Sequence, residues 1–319
     1  MKSPVRAPHL PVILLIMALV HNALPQTSSP LEIRPAPRVQ EIVDHAVQRT
    51  LEQFAEQKLE ANQIAVTLVD LRDRQNPAQG SHRGGEQIYP ASVIKLFYLV
   101  AAHRWMEDGK LADTKELRRA MRDMIVDSYN EATGYIVDLL TDTTSGPELS
   151  PADMEMWYEK RNAVNRYFAS LGYKNINVNR KPWCEGPYGR EKQSVNLHQP
   201  NHRNWLTTDA TARLLTEIVT GHSVTSERSR QMMELLKRDP FNPKAETQSR
   251  EYTGKALPEG AKLWSKAGWT SETRHDAAYV ELPDGNRFVL AVFTVNHAYE
   301  KEIIPAVARA VIEGLGQKR

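Results

Sequence analysis

Strand-forming stretches lie near both ends of this chain, and the long middle reads as helix. "QIAVTLVDLRD", starting at Gln63, alternates and is rich in β-branched residues, as a strand requires. Two hundred residues later, "AKLWSKAGW", "DAAYVEL" and "RFVLAVFTVN" follow one another as three more strands. A lone early strand has no local partner, so it must pair with the late meander. The chain is therefore expected to be α/β of the α+β type. An antiparallel sheet drawn from both chain ends is flanked by helices, and an all-α subdomain is inserted between its parts.

The helices are read from apolar spacing. "VQEIVDHAVQRTLEQFAEQ" has one dry face, and "EIIPAVARAVIEGL" closes the chain. From 93 to 145 the pattern is helical twice over, with further helices expected near "EMWYEKRNAVNRYFASLG", from Thr207 to Thr220 and from Ser226 to Lys237. The polar "RQNPAQGSHRGGEQ" reads as a turn, and "YKNINVNRKPWCEGPYGREKQSVNLHQPNHRNW" as a long irregular segment of the kind that shapes a site.

The N-terminus carries Lys2 and Arg6, then "LPVILLIMALV", the pattern of an export signal. We expect residues 1–26 to be a signal peptide and 27–37 a linker. Residues 38–319 would form one catalytic domain, with its α/β part at 38–90 and 255–319 and its helical subdomain at 91–254. Cys184 is the lone cysteine, so no internal disulfide is available and the exported protein, periplasmic or secreted, would rely on its core. The formal charge of +2 falls to about zero without Lys2 and Arg6, so no nucleic-acid partner is expected. His198 and His202 stand four apart with Pro200 between them, which argues against a helical metal pair; no metal and no cofactor are expected.

Chemistry concentrates at "YPASVIKLFYLVAAHRW". Ser92 and Lys95 are one helical turn apart at the head of a core helix, so hydroxyl and amine share a face. Free backbone N–H groups in that first turn favour developing negative charge. The surrounding apolar run leaves the amine poorly solvated, which favours its neutral, proton-accepting form. "DSYNEATGY" adds Ser128 and Asn130 at a helix boundary, although Ser128 and Glu131 also fit a capping box. "WSKAGWT" adds Lys266 and Gly268 on a strand.

Ser-x-x-Lys, Ser-x-Asn and Lys-(small)-Gly in this order resemble the three motifs of the serine β-lactamases and penicillin-binding proteins, most closely the class A β-lactamase group. The likeness extends over roughly residues 40 to 315, because the element order agrees as well. It implies a serine hydrolase that acts on a β-lactam or a peptidoglycan-like peptide, as a monomer. Ser92 would form the acyl-enzyme with Lys95 as its base, and Ser128 would pass a proton to the departing nitrogen. Asn130 would hold Lys95 and the substrate, and Lys266 would face the substrate carboxylate. The N–H groups of Ser92 and Trp269 would form an oxyanion hole, with Gly268 allowing close approach. Trp183, Trp205 and Trp269 are candidates to line the cleft.

The chain departs from the family at four places. Tyr129 stands where aspartate is usual, and Ala267 where a hydroxyl usually binds the substrate carboxylate. Thr270, Ser271 or Arg274 are candidates to replace that hydroxyl. The Ser92-to-Ser128 segment is short, which opens one side of the cleft. No clean Glu-x-x-x-Asn is present for deacylation; Glu191 and Glu185 are the candidates.

Overall fold

The computed structural model describes residues 31–183, 186–197 and 203–317. The signal-peptide, Cys184, Glu185, His198 and His202 expectations fall outside these residues. The chain begins with β1 (Arg34–Pro35), α1 (Pro37–Gln53), β2 (Ile64–Asp70) and β3 (Ala78–His82). A 3-10 turn, Ala91–Ile94, then leads into α2 (Lys95–Glu107), α3 (Lys115–Ile125) and α4 (Asn130–Thr141). These are followed by α5 (Pro151–Arg161), α6 (Ala163–Ser170), α7 (Gly189–Leu197), α8 (Thr208–Val219) and α9 (Ser226–Leu236). The last part contains β4 (Lys237–Arg238), α10 (Thr247–Arg250), a 3-10 stretch Tyr252–Ala256, β5 (Lys262–Trp269), β6 (Thr273–Glu281), β7 (Arg287–Val295) and α11 (Ile303–Gly316).

Among the described residues the strands form one seven-stranded sheet in the order β1-β3-β2-β7-β6-β5-β4. The early strand β2 does pair antiparallel with the late strand β7, with Leu68 opposite Leu290. Every residue of β2 is buried, because the sheet is covered on both faces. Val66 and Leu68 of β2, with Leu290 and Val292 of β7, face α1 and α11. Ala65, Val69, Val289 and Ala291 face the helical side. Period-2 side-chain alternation thus serves two cores rather than one core and solvent.

On the helical side, α2 is the central rod. Lys95 to His103 are all buried, as befits a helix that is apolar all round. Phe97 packs edge-on against Phe168 with ring centres 4.9 Å apart, which ties α2 to α6.

Three expectations need correction. "AQGSH" is a strand, β3, not part of a turn. It lacks β-branched residues because it lies beneath α1, where a Cβ on Gly80 would come within 2.5 Å of the Gln40 nitrogen. The segment expected to be wholly irregular contains α7, and the expected helix ending at Lys237 stops at Leu236, where Lys237 and Arg238 join the sheet edge.

Candidate active site

Ser92 sits in the 3-10 turn, not in the first turn of the α-helix as expected; α2 starts at Lys95. The turn is introduced by Ala91 at φ 45°, a left-handed conformation unfavourable for a residue with a Cβ. Ser92 lines a cleft of about 420 Å³ together with Ser128, Tyr129, Gln248, Gly268 and Trp269.

Lys95 lies under that cleft, fully buried. Its Nζ donates to the Ser128 carbonyl at 2.5 Å, to Asn130 Oδ1 at 2.9 Å and to Ser128 Oγ at 3.2 Å. The amine therefore joins the α2 end of the site to the loop before α4. Ser128 occupies that loop at φ 60°, and the helix N-cap is Tyr129, with no side-chain cap. Ser128 is thus not the cap that its spacing to Glu131 suggests.

Lys266 enters from β5 and is also fully buried. Its Nζ donates to Gln248 Oε1 at 2.6 Å and to the Ala267 carbonyl at 2.8 Å. Burial first, then the charges of Lys95 and Arg238, hold Lys266 well below the usual lysine range. Gly268 packs against the nucleophile turn. A Cβ there would lie 2.8 Å from the Pro90 carbonyl and 2.9 Å from the Ser92 nitrogen. Only glycine lets the strand approach so closely, and this contact seats Trp269 beside Ser92 at the cleft.

Five sequence candidates are not among the residues that line this cleft. Glu191 is buried on α7. Its Oε1 accepts from Arg161 Nη2 at 2.8 Å and from Ser145 Oγ at 3.0 Å, and Lys181 lies 3.6 Å away. Lys181 in turn donates to Asp138 at 2.6 Å. Glu191 is the hub of an ion-pair network joining α4, α5 and α7 and does not line the Ser92 cleft. Burying a carboxylate demands such partners, and Arg161 and Ser145 supply them.

Arg274 is turned to the sheet face covered by Tyr252–Ala256. It pairs with Glu251 at 2.5 Å and lies over the Tyr252 ring at 4.0 Å. Thr270 is engaged in the β5–β6 turn, where it accepts from the Thr273 N–H at 3.1 Å. Trp183 packs edge-on against Tyr188 and Trp205 lies beneath the Arg203 guanidinium; of the three tryptophans, Trp269 lines the cleft.

Sequence reasoning missed three supports. Gln248 accepts from Lys266 and from the Ala267 N–H at 3.2 Å, and donates to the Val126 carbonyl at 3.0 Å. Arg238, buried, donates to the Ile125 carbonyl at 2.9 Å and the Ser265 carbonyl at 3.1 Å, tying the approach to Ser128 to β5. His275 accepts the Thr294 N–H at Nδ1, so Nε2 carries the proton and donates to the Tyr89 carbonyl at 2.9 Å. Burial lowers His275 to about 4, and its neutral ring anchors the chain three residues before Ser92. Of these three, His275 stands beside a stretch read from the sequence as a strand, and no pattern in the sequence marks Gln248 or Arg238.

A larger hollow of about 850 Å³ between α4 and α5 is lined by none of Ser92, Lys95, Ser128, Asn130 or Lys266. Among the described residues no cluster of three His, Cys, Asp or Glu side chains is placed to hold a metal.

The profile of the beta-lactamase enzyme family matches residues 46–315. No curated relative matches significantly. Among solved structures, a beta-lactamase from Sphaerobacter thermophilus is 20% identical with a TM-score of 0.61, over 88% of this chain and 98% of that one. A beta-lactamase from Chitinophaga pinensis is 18% identical with a TM-score of 0.62, over 85% and 99%. A mutant of PBP-A, in an acyl-enzyme complex with penicillin G, is 18% identical with a TM-score of 0.60, over 90% and 99%.

Proposed function

The chain belongs to the beta-lactamase enzyme family, and from that premise we propose that it is an exported, monomeric serine hydrolase of the class A type that opens β-lactam amides through an acyl-enzyme on Ser92. The observation that carries this reading is Lys95, buried beneath the Ser92 cleft with its Nζ on both Ser128 and Asn130.

In the proposed reaction, Ser92 Oγ attacks the lactam carbonyl carbon and its proton passes to Lys95. Lys95 takes that proton in its neutral form, as a general base must. Burial first, and then the charges of Lys95 and Arg238, hold Lys266 well below the usual lysine range. The C–N bond then breaks, and Ser128 Oγ hands its proton to the departing nitrogen and recovers one from Lys95. The amides of Ser92 and Trp269, held together by the Gly268 contact, would stabilise the oxyanion.

A second reading, a penicillin-binding-type peptidase, amidase or esterase, is favoured by Glu191. With that carboxylate bound to Arg161, the acyl-enzyme lacks its expected general base and should turn over slowly. Stopped-flow with a chromogenic cephalosporin tests the choice. A stoichiometric burst followed by slow release supports slow deacylation, sustained rapid turnover supports an efficient lactamase, and no burst or turnover contradicts both. Export is supported by the pattern of residues 1–26 and is checked by N-terminal sequencing of the mature protein.

A further inference from the structure

Tyr129 borders the Ser92 cleft and also a hollow of about 490 Å³ between α3 and α4. Tyr135 borders that hollow and the one of about 850 Å³ between α4 and α5. The residues that α4 gives to the two hollows are Glu131, Ala132, Tyr135, Asp138, Leu139 and Asp142. Their spacing of three and four puts them on one stripe of the helix. The cleft and the hollows therefore follow one another along a single face of α4. Large apolar side chains stand exposed on this path: Tyr129 is 58% exposed, Tyr135 45%, and Met156, on the wall of the larger hollow, 60%. Charges beside them are met within the protein, Glu116 by Arg119, Asp138 by Lys181 and Asp142 by Lys160. The contact left for a ligand is chiefly with the exposed apolar groups.

The Ser92 cleft, at about 420 Å³, is by itself large enough for a drug-sized ligand. The rest of the path needs a longer one. From Tyr129 to Asp142 the helix rises about 20 Å at ~1.5 Å per residue, a distance that an extended chain covers with about six residues at ~3.3 Å each. Ser128 sets the direction. It immediately precedes Tyr129 and, in the proposed reaction, gives its proton to the departing nitrogen. The part of the substrate that faces the α4 path is thus the leaving segment, and an extended chain that continues from an amide nitrogen is a peptide.

We infer that this surface is built for a peptide cut internally, with about six residues of the leaving segment laid along α4. The ester forms between Ser92 Oγ and the acyl carbon as the peptide C–N bond breaks. The proton lost by Ser92 passes by way of Lys95 and Ser128 to the new amino terminus, and water later frees the acyl group. The inference rests on the reading of Ser92 as the nucleophile and Ser128 as the donor to the leaving nitrogen.

The test uses peptides that share one acyl part, an acetylated lysyl-D-alanyl group. Their leaving segments start with D-alanine and continue with alternating alanine and leucine to lengths of about one, three, six and nine residues, chosen to bracket the span of the helix face. On the full mature protein, kcat/KM should rise about tenfold or more up to the six-residue segment and no further beyond it, as binding remote from the reacting bond is added. Tyr135→Ala should remove most of that gain while leaving the shortest donor and acylation by penicillin G unchanged, whereas a merely structural defect would slow all of them. A kcat/KM independent of length, equal slowing of every donor by Tyr135→Ala, or no cleavage of any peptide overturns the inference; a penicillin G adduct that is lost in Ser92→Ala then leaves the nucleophile standing. Absence of that adduct in wild type, or its survival in Ser92→Ala, overturns the nucleophile and the inference together.

Discussion

Gly268→Ala should slow acylation about 10- to 100-fold while leaving the protein folded. The added methyl would sit 2.8 Å from the Pro90 carbonyl, 2.9 Å from the Ser92 nitrogen and 3.0 Å from the Val93 nitrogen, all backbone atoms with no side chain free to yield. Ordinary contact begins near 3.4 Å, so strand and turn must part by about 0.6 Å. Overpacking of this kind costs about 1–3 kcal/mol, or a melting temperature lower by very roughly 2–10 °C. The kinetic cost is larger in proportion, because the parting separates the amides of Ser92 and Trp269. Losing one oxyanion donor outright costs about 10²–10³ in rate, and a displacement near 1 Å about 10², which bounds the estimate. The glycine has an ordinary strand conformation, so the effect must be steric. Acylation rates from stopped-flow, read beside a thermal melt, give the answer. Wild-type acylation in a folded Gly268→Ala protein would refute the claim that this contact builds the site.

Other perturbations separate the remaining groups. Ser128→Ala keeps the backbone carbonyl that Lys95 uses but removes its hydroxyl acceptor, and should cut acylation by about 10²-fold or more with little change in melting temperature; an unchanged rate would remove Ser128 from proton transfer. Glu191→Met leaves Arg161 buried against Asp138 alone, and should destabilise the protein by about 3–5 kcal/mol in chemical denaturation. In the protein that stays folded, acylation and deacylation should change alike; a selective loss of deacylation would return Glu191 to catalysis. His103 and His275 are both buried and lowered to about 4 from an ordinary 6.5. Below pH 6.5 the unfolded chain takes up protons that the folded chain refuses until about pH 4, so stability falls as pH falls through that window, by up to about 3 kcal/mol for each histidine. Denaturant midpoints between pH 7 and 4 check this, and His275→Phe should flatten the decline; an unchanged slope would mean that His275 is already protonated in the fold.

The part of the site that the sequence exposed is the part written as short-range spacing. Ser92 with Lys95, Ser128 with Asn130 and Lys266 with Gly268 are each two or three residues apart, and the order of the elements around them predicted their meeting. Side chains whose role depends on which face of a strand or helix they end up on were not legible. Arg274 and His275 are neighbours on β6, so alternation sends one to Tyr252 and Glu251 and the other to the Tyr89 carbonyl. A motif search sees both equally. Glu191 comes near the Glu-x-x-x-Asn spacing, with Asn196 one residue too far, but its partners Arg161, Lys181 and Ser145 come from separate parts of the chain that no local pattern links. The same limit hid β3, whose polar, glycine-containing sequence pairs with β2 and lies against α1.

The central claim is that two buried lysines, a loop serine and a glycine-packed strand make one hydroxyl, that of Ser92, the nucleophile. Tandem mass spectrometry of peptides from protein treated with penicillin G tests it most directly. The account predicts a single acylated peptide with the drug's mass on residue 92. Acylation at any other residue, or an unmodified Ser92 after saturating treatment of folded protein, would contradict it.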